Sequence, residues 1–152
     1  MVDRDEADLH RAQAIAANNS VWELLDAEQP DTTELLGRAY AASYHWARAA
    51  GRTPANAARA SWLLSRCHAV LGHGELALHH ADECASVVAA SALDDFDLGY
   101  SHEARARALA VLGRLDDASI ELAAARATTI ADDQDREVFE SDLAAPPWFG
   151  LT

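Results

Sequence analysis

Histidines are the side chains here best suited to chemistry: His10, His45, His68, His73, His79, His80 and His102. Imidazole changes charge near neutral pH and binds transition metals through either ring nitrogen. Several of them neighbour other reactive groups, as in Tyr44-His45-Trp46, Cys67-His68, His79-His80 with Glu83, and His102-Glu103. Residues three or four apart share a helical face, so His79 or His80 with Glu83 has the spacing of two metal ligands on one turn. A centre drawn from His45, His80, Glu83 and His102 is compatible with antiparallel helices, and it would take a divalent metal. The chain has no His-Glu-x-x-His run and no Glu-x-x-His pair of the di-iron type. It also lacks a serine elbow and a glycine-rich phosphate cradle, and neither cysteine has an identified base. The expectation is a non-catalytic protein that needs no cofactor. A metal-binding protein or metal-dependent enzyme is the alternative.

Positioning these side chains falls to helices punctuated by glycine. Three helical patterns end at Ala49-Ala50-Gly51, Val70-Leu71-Gly72 and Val111-Leu112-Gly113, with steps of 21 and 41 residues between the glycines. A helix of about 17 to 20 residues plus a turn fills the smaller step, which predicts antiparallel helices and a hairpin unit of about 41 residues. Hydrophobic residues make up 50% of the chain, enough for a packed core. Much of that share is alanine, the best helix former and small enough to let helices approach closely. Isoleucine and valine are scarce and strand-like alternation is absent, so the fold class is all-α.

The predicted helices cover 6–27, with a potential break at Asn18-Asn19-Ser20, then 32–50, 54–71, 75–90 and 95–112, and after a tight turn at 113–116 a sixth continues to about residue 130, with a short one at 136–143. Asp31 or Thr32, Thr53 ahead of Pro54, and Asp94 or Asp95 are the expected caps. The interior Gly99 points to a close helix contact. Residues 1–152 form one domain: a divergent hairpin at 5–50, two better-matched hairpins at 54–91 and 95–131, and an acidic segment with an aromatic capping tail at 132–152.

The net charge is −13, and no lysine is present. A field of that sign repels nucleic-acid phosphates and anionic lipid surfaces, so neither is an expected partner. Cys67 and Cys84 sit among apolar positions and are expected to be buried free thiols. The opening residues are too charged for a signal peptide, and no apolar run has the length of a membrane span. The expected location is cytoplasmic.

The two better-matched hairpins carry small residues at equal offsets: Ser65, Gly72, Ala77 and Cys84 in one, Ala106, Gly113, Ala118 and Ala125 in the other. Together with the turns Leu71-Gly72-His73-Gly74 and Leu112-Gly113-Arg114-Leu115, this resembles the tetratricopeptide repeat, over roughly half the chain. The period is 41 residues, against about 34 in that family. The resemblance implies a short right-handed solenoid whose groove is lined by the third and fifth helices. The groove positions would be Arg59, Trp62, Arg66, Tyr100, Glu103 and Arg107. Arginine forks and rigid aromatic rings there suit a protein or peptide, including one that bears carboxylates. The implied function is a peptide-binding adaptor. A homodimer that extends the stack, or a structural subunit assembling through the aromatic tail, is a further reading.

Overall fold

The computed structural model describes residues 3–152, and its regular secondary structure among them is entirely helical. Its elements are α1 (Arg4–Leu25), α2 (Thr32–Trp46), α3 (Pro54–Val70), α4 (Gly74–Ala90), α5 (Asp95–Val111), α6 (Leu115–Ala127) and α7 (Asp133–Ala144). Packing is mostly sequential, α1 on α2, α3 on α4 and α5 on α6, with α2–α3 and α4–α5 joining the hairpins. α3 also touches α5 directly, and α7 returns onto α5.

The turns after α3 and α5 match bond for bond. Gly72 and Gly113 have φ of 77° and 75°, a left-handed conformation that favours glycine because no Cβ meets the backbone. The His73 amide donates to the His68 carbonyl and the Arg114 amide to that of Leu109, each at 2.9 Å. Ala77 and Ala118 then close the first turns of α4 and α6 on the carbonyls of His73 and Arg114, again at 2.9 Å. The hairpins α3–α4 and α5–α6 therefore share one local geometry at the predicted offset.

Helix starts follow local chemistry. Thr53 and Asn56 form a reciprocal capping box with Pro54 at the first position. The Asp31 and Asp132 carboxylates accept the amides of Glu34 and Asp135. Asp94 makes no side-chain cap; instead the Asp95 carboxylate accepts the Ala131 amide at 3.0 Å, tying the start of α5 to the α6–α7 link.

Several features differ from expectation, among them the start of α7, at Asp133 rather than Arg136. α1 is one helix through Asn18-Asn19-Ser20, because the Ser20 hydroxyl turns back to the Ala17 carbonyl at 2.7 Å and does not compete for the helix amides. α2 stops at Trp46 rather than at residue 50, and its chain tightens into i→i+3 bonds at Arg48 and Ala49. α6 stops at Ala127 because Thr128 becomes extended, with its hydroxyl donating to the Ala124 carbonyl.

α5 is the central helix, buried around most of its circumference from Gly99 to Ala110. Its Ala104 and Ala108 meet Ala69, Ala77 and Ala81, where small side chains let three helices converge. At Gly74 a Cβ would lie 2.6 Å from Leu112 Cδ2, so the two equivalent turns pack in direct contact. Gly99 likewise sits against the Phe139 ring, 2.9 Å from where a Cβ would be, which is the close approach its sequence position suggested. Cys67 and Cys84 are buried free thiols, and burial pushes both up to about 12.

Candidate metal centre and the α3–α5 face

Two sites emerge from this packing. The first lies where α2, α3 and α4 meet. His79, His80 and Glu83 occupy one turn of α4, and one donor atom from each lies within 4.8 Å of the others. His80 Nδ1 is 2.8 Å from one Glu83 oxygen, and His79 Nε2 is 3.4 Å from the other. His79 and Glu83 are exposed and line an open groove of ≈ 910 Å³ that runs toward Ser43, Arg52 and Ser61.

His80 is buried, and its outer nitrogen, Nε2, is 3.1 Å from the Tyr40 hydroxyl on α2. The same hydroxyl is 2.9 Å from His68 Nε2, and His68 Nδ1 is 3.1 Å from His73 Nδ1. The rings of His68 and His80 stack at 5.6 Å. Burial first, then the neighbouring His80 and His73, lowers His68 to about 4, so its ring is neutral near pH 7. Burial and the Glu83 charge raise Tyr40, which stays a phenol.

These contacts fix one direction for every proton when the rings are neutral. A carboxylate only accepts, so His80 donates from Nδ1 to Glu83 and must accept at Nε2 from Tyr40. The Tyr40 oxygen then accepts from His68 Nε2–H. His68 Nδ1 accepts in turn from His73 Nδ1–H. The result is a single hydrogen-bonded chain from the α3–α4 turn to Glu83.

The sequence pairing of His80 with Glu83 is present, whereas His45 and His102 lie elsewhere. His45 Nδ1 is 2.7 Å from His10 Nδ1 on α1. His102 Nδ1 is 2.7 Å from Glu121 on α6, a carboxylate shared with Arg105. The residues that complete the site are His79, one position from the chosen ligand, and Tyr40, 40 residues away in sequence. Helical spacing offers His79 as well as His80 beside Glu83; nothing local points to Tyr40.

The second site is the α3–α5 face with the six predicted groove residues. Glu103 and Arg107, each 1% exposed, form an ion pair beneath the surface. Glu103 also accepts from Trp62 Nε1 at 2.7 Å and from Arg66 at 3.5 Å. Arg107 spends its other donors on the C-terminal segment, bonding the carbonyls of Asp142, Ala145 and Pro147 at 2.7, 3.1 and 2.6 Å. Its guanidinium carbon stands 3.8 Å from the centre of the Trp148 ring. The tail therefore lies on this face, with Phe149 and Leu151 packed against Leu109, Ala110 and Ala118.

Arg59 is held in a two-bond pair with Asp97, at 2.8 and 3.2 Å. Tyr100 donates to the Asp142 carboxylate. Arg59, Trp62 and Tyr100 border a cavity of ≈ 380 Å³ between α1, α3, α5 and α7, to which Trp22 and Phe96 add rings. Among the described residues no buried side-chain nitrogen or oxygen lacks a partner, so the charges beneath this face are fully satisfied.

No helix among the described residues is long and apolar enough to cross a membrane. No protein-family model, curated protein or solved structure matches the chain.

Proposed function

We propose that this protein binds a divalent transition metal, zinc in the first instance, through His79, His80 and Glu83. The observation that carries the reading is the convergence of three donor atoms within 4.8 Å on one turn, with the inner histidine fastened to Tyr40 from behind. A nitrogen–oxygen set of this kind suits borderline ions such as zinc, and three protein ligands leave one position of a four-coordinate ion open. That position would face the groove beside His79 and Glu83. A hydrogen bond to the far nitrogen is what orients a ligating histidine and sets its tautomer.

Metal at His80 Nδ1 would take that nitrogen's lone pair and leave the ring proton on Nε2. His80 then donates to Tyr40, Tyr40 to His68, and His68 Nδ1–H to His73. Binding thereby reverses the hydrogen-bonded chain and reports the state of the centre at the α3–α4 turn.

The test is a zinc titration of the full chain prepared without a histidine tag, with a competing chelator. One ion per chain is expected, with affinity cut at least about tenfold by His80→Asn or Glu83→Gln and about 10- to 100-fold by Tyr40→Phe. His45→Asn and His102→Asn should leave it unchanged. Sub-stoichiometric zinc, or affinity indifferent to His80 and Glu83, refutes the proposal.

A second reading keeps the α3–α5 face as a peptide-binding surface of a repeat-like adaptor. It is favoured by the extended segment already captured there through its carbonyls by Arg107. Truncation before Pro146 should then expose a face that binds the synthetic tail peptide Ala145–Thr152 in trans, and absence of that binding would end this reading.

A further inference from the structure

The ≈ 380 Å³ cavity shares no lining residue with the groove beside α4 and is the more strongly apolar of the two. Its size falls in the range that encloses small organic molecules. Its wall is a run of aromatic rings in mutual contact. Trp22 and Trp62 lie 5.7 Å apart at 30°, Trp62 and Tyr100 5.2 Å apart at 80°, and Tyr100 and Phe96 4.6 Å apart at 54°. Trp22 remains 40% exposed, so the wall continues to the surface.

The charges around it decide what kind of molecule fits. The one arginine at the rim, Arg59, turns two of its N–H groups to the two carboxylate oxygens of Asp97 and lies over the Phe96 ring. Arg66 and Arg107 both turn to the single carboxylate of Glu103, and Arg107 also feels the charge of Asp142. Asp142, at the α7 side, is different. Its Oδ2 accepts from Tyr100, and it is in none of the ion pairs of this face. Among the described residues nothing donates to its Oδ1, and since no buried side-chain oxygen lacks a partner, Oδ1 reaches solvent. Aromatic faces carry negative potential, and a carboxylate with one oxygen open to solvent beside them adds to it. The whole chain, at −13, has the same sign.

We infer that this cavity binds a small organic cation with an apolar or aromatic body, an amine or quaternary ammonium compound, with the cationic group between the Trp22–Trp62 wall and Asp142. The apolar body fills the space against Phe96 and Tyr100. The carboxylate-bearing ligand suggested by the arginine-rich sequence pattern would meet the Asp142 carboxylate, with Arg59 turned to Asp97 and Arg66 and Arg107 to Glu103.

Ligand-observed NMR titrations with benzyltrimethylammonium, benzyl alcohol and benzoate separate charge from shape. The cation should bind at least about tenfold more tightly than benzyl alcohol, with benzoate weakest. Asp142→Asn keeps an acceptor for Tyr100, and it should reduce the preference for the cation over benzyl alcohol to less than about threefold. Trp22→Ala, at a partly exposed position, should weaken the cation by about tenfold. His80→Asn should change nothing, which separates this site from the metal centre. Equal binding of the cation and the alcohol, tighter binding of benzoate, no saturable binding of the cation, or a preference that survives both substitutions would overturn the inference.

Discussion

Replacing Arg107 with methionine isolates the strongest interaction between the helical stack and its C-terminal segment. Methionine keeps much of the aliphatic stem and removes the guanidinium. Four sets of contacts are lost together: the pair with Glu103, the bonds to three tail carbonyls, the ring contact with Trp148, and the charge that balances a carboxylate 1% exposed. Glu103 keeps Trp62 at 2.7 Å and Arg66 at 3.5 Å, which cushions the loss. Removing one partner of a buried pair costs about 3 to 5 kcal/mol, and these surviving partners place the expected cost at the lower end, about 3 kcal/mol. For a domain of this size that lowers the melting temperature by roughly 6 to 12 °C. Urea unfolding gives the free energy, and limited proteolysis within 145–152 reports whether the tail has come away. The double variant Glu103→Gln/Arg107→Met should be less destabilised than the sum of the two single variants, since no buried charge is then left alone. A loss below about 1 kcal/mol with the tail still protected would refute both the energetic weight given to this pair and its role as the docking post.

Gly99→Ala should destabilise by about 1 kcal/mol, because overpacking against the Phe139 ring outweighs the gain in helix propensity, whereas Gly37→Ala on α2, with nothing within 4 Å, should stabilise by up to about 1 kcal/mol; thermal melts of the two variants moving in the same direction would contradict this. His68 is lowered from 6.5 to about 4 in the folded chain, so its neutral form supports folding fully above pH 6.5 and that support is lost as pH falls toward 4. The associated loss is about 3 kcal/mol, and the difference between wild type and His68→Gln in urea unfolding at pH 7.5 and pH 4.5 should shrink accordingly; an unchanged difference would mean that His68 is not buried neutral.

Much of the helical layout was legible because its signals are local. Gly72 and Gly113 end their helices where a left-handed residue is needed, and Thr53-Pro54 starts one where a cap and a fixed φ are needed. Boundaries went astray where a side chain decided between helix and turn, as at Ser20 and Thr128. Spacing also grouped His80 with Glu83 and Arg59 with Trp62, since neighbours on one helical face are set by period alone. It could not show that Tyr40 bridges His68 and His80, because that depends on how α2 crosses α3 and α4. Nor could it show that Arg107 faces the chain's own end, a contact 35 to 40 residues away in sequence. The six positions of the α3–α5 face look like a receptor in the sequence because arginine and aromatic residues serve internal fastening as well as external capture.

Arg107 grips the final segment by main-chain oxygens at three places, and such oxygens are the same whatever residue supplies them. Letters at 144–147 can therefore drift through evolution with little penalty provided the path of the backbone is kept, while Trp148, which meets the guanidinium ring-first, and Phe149, which packs on Leu109, Ala110 and Ala118, cannot. Homologous sequences aligned by eye would lose register in that stretch and regain it at the two rings.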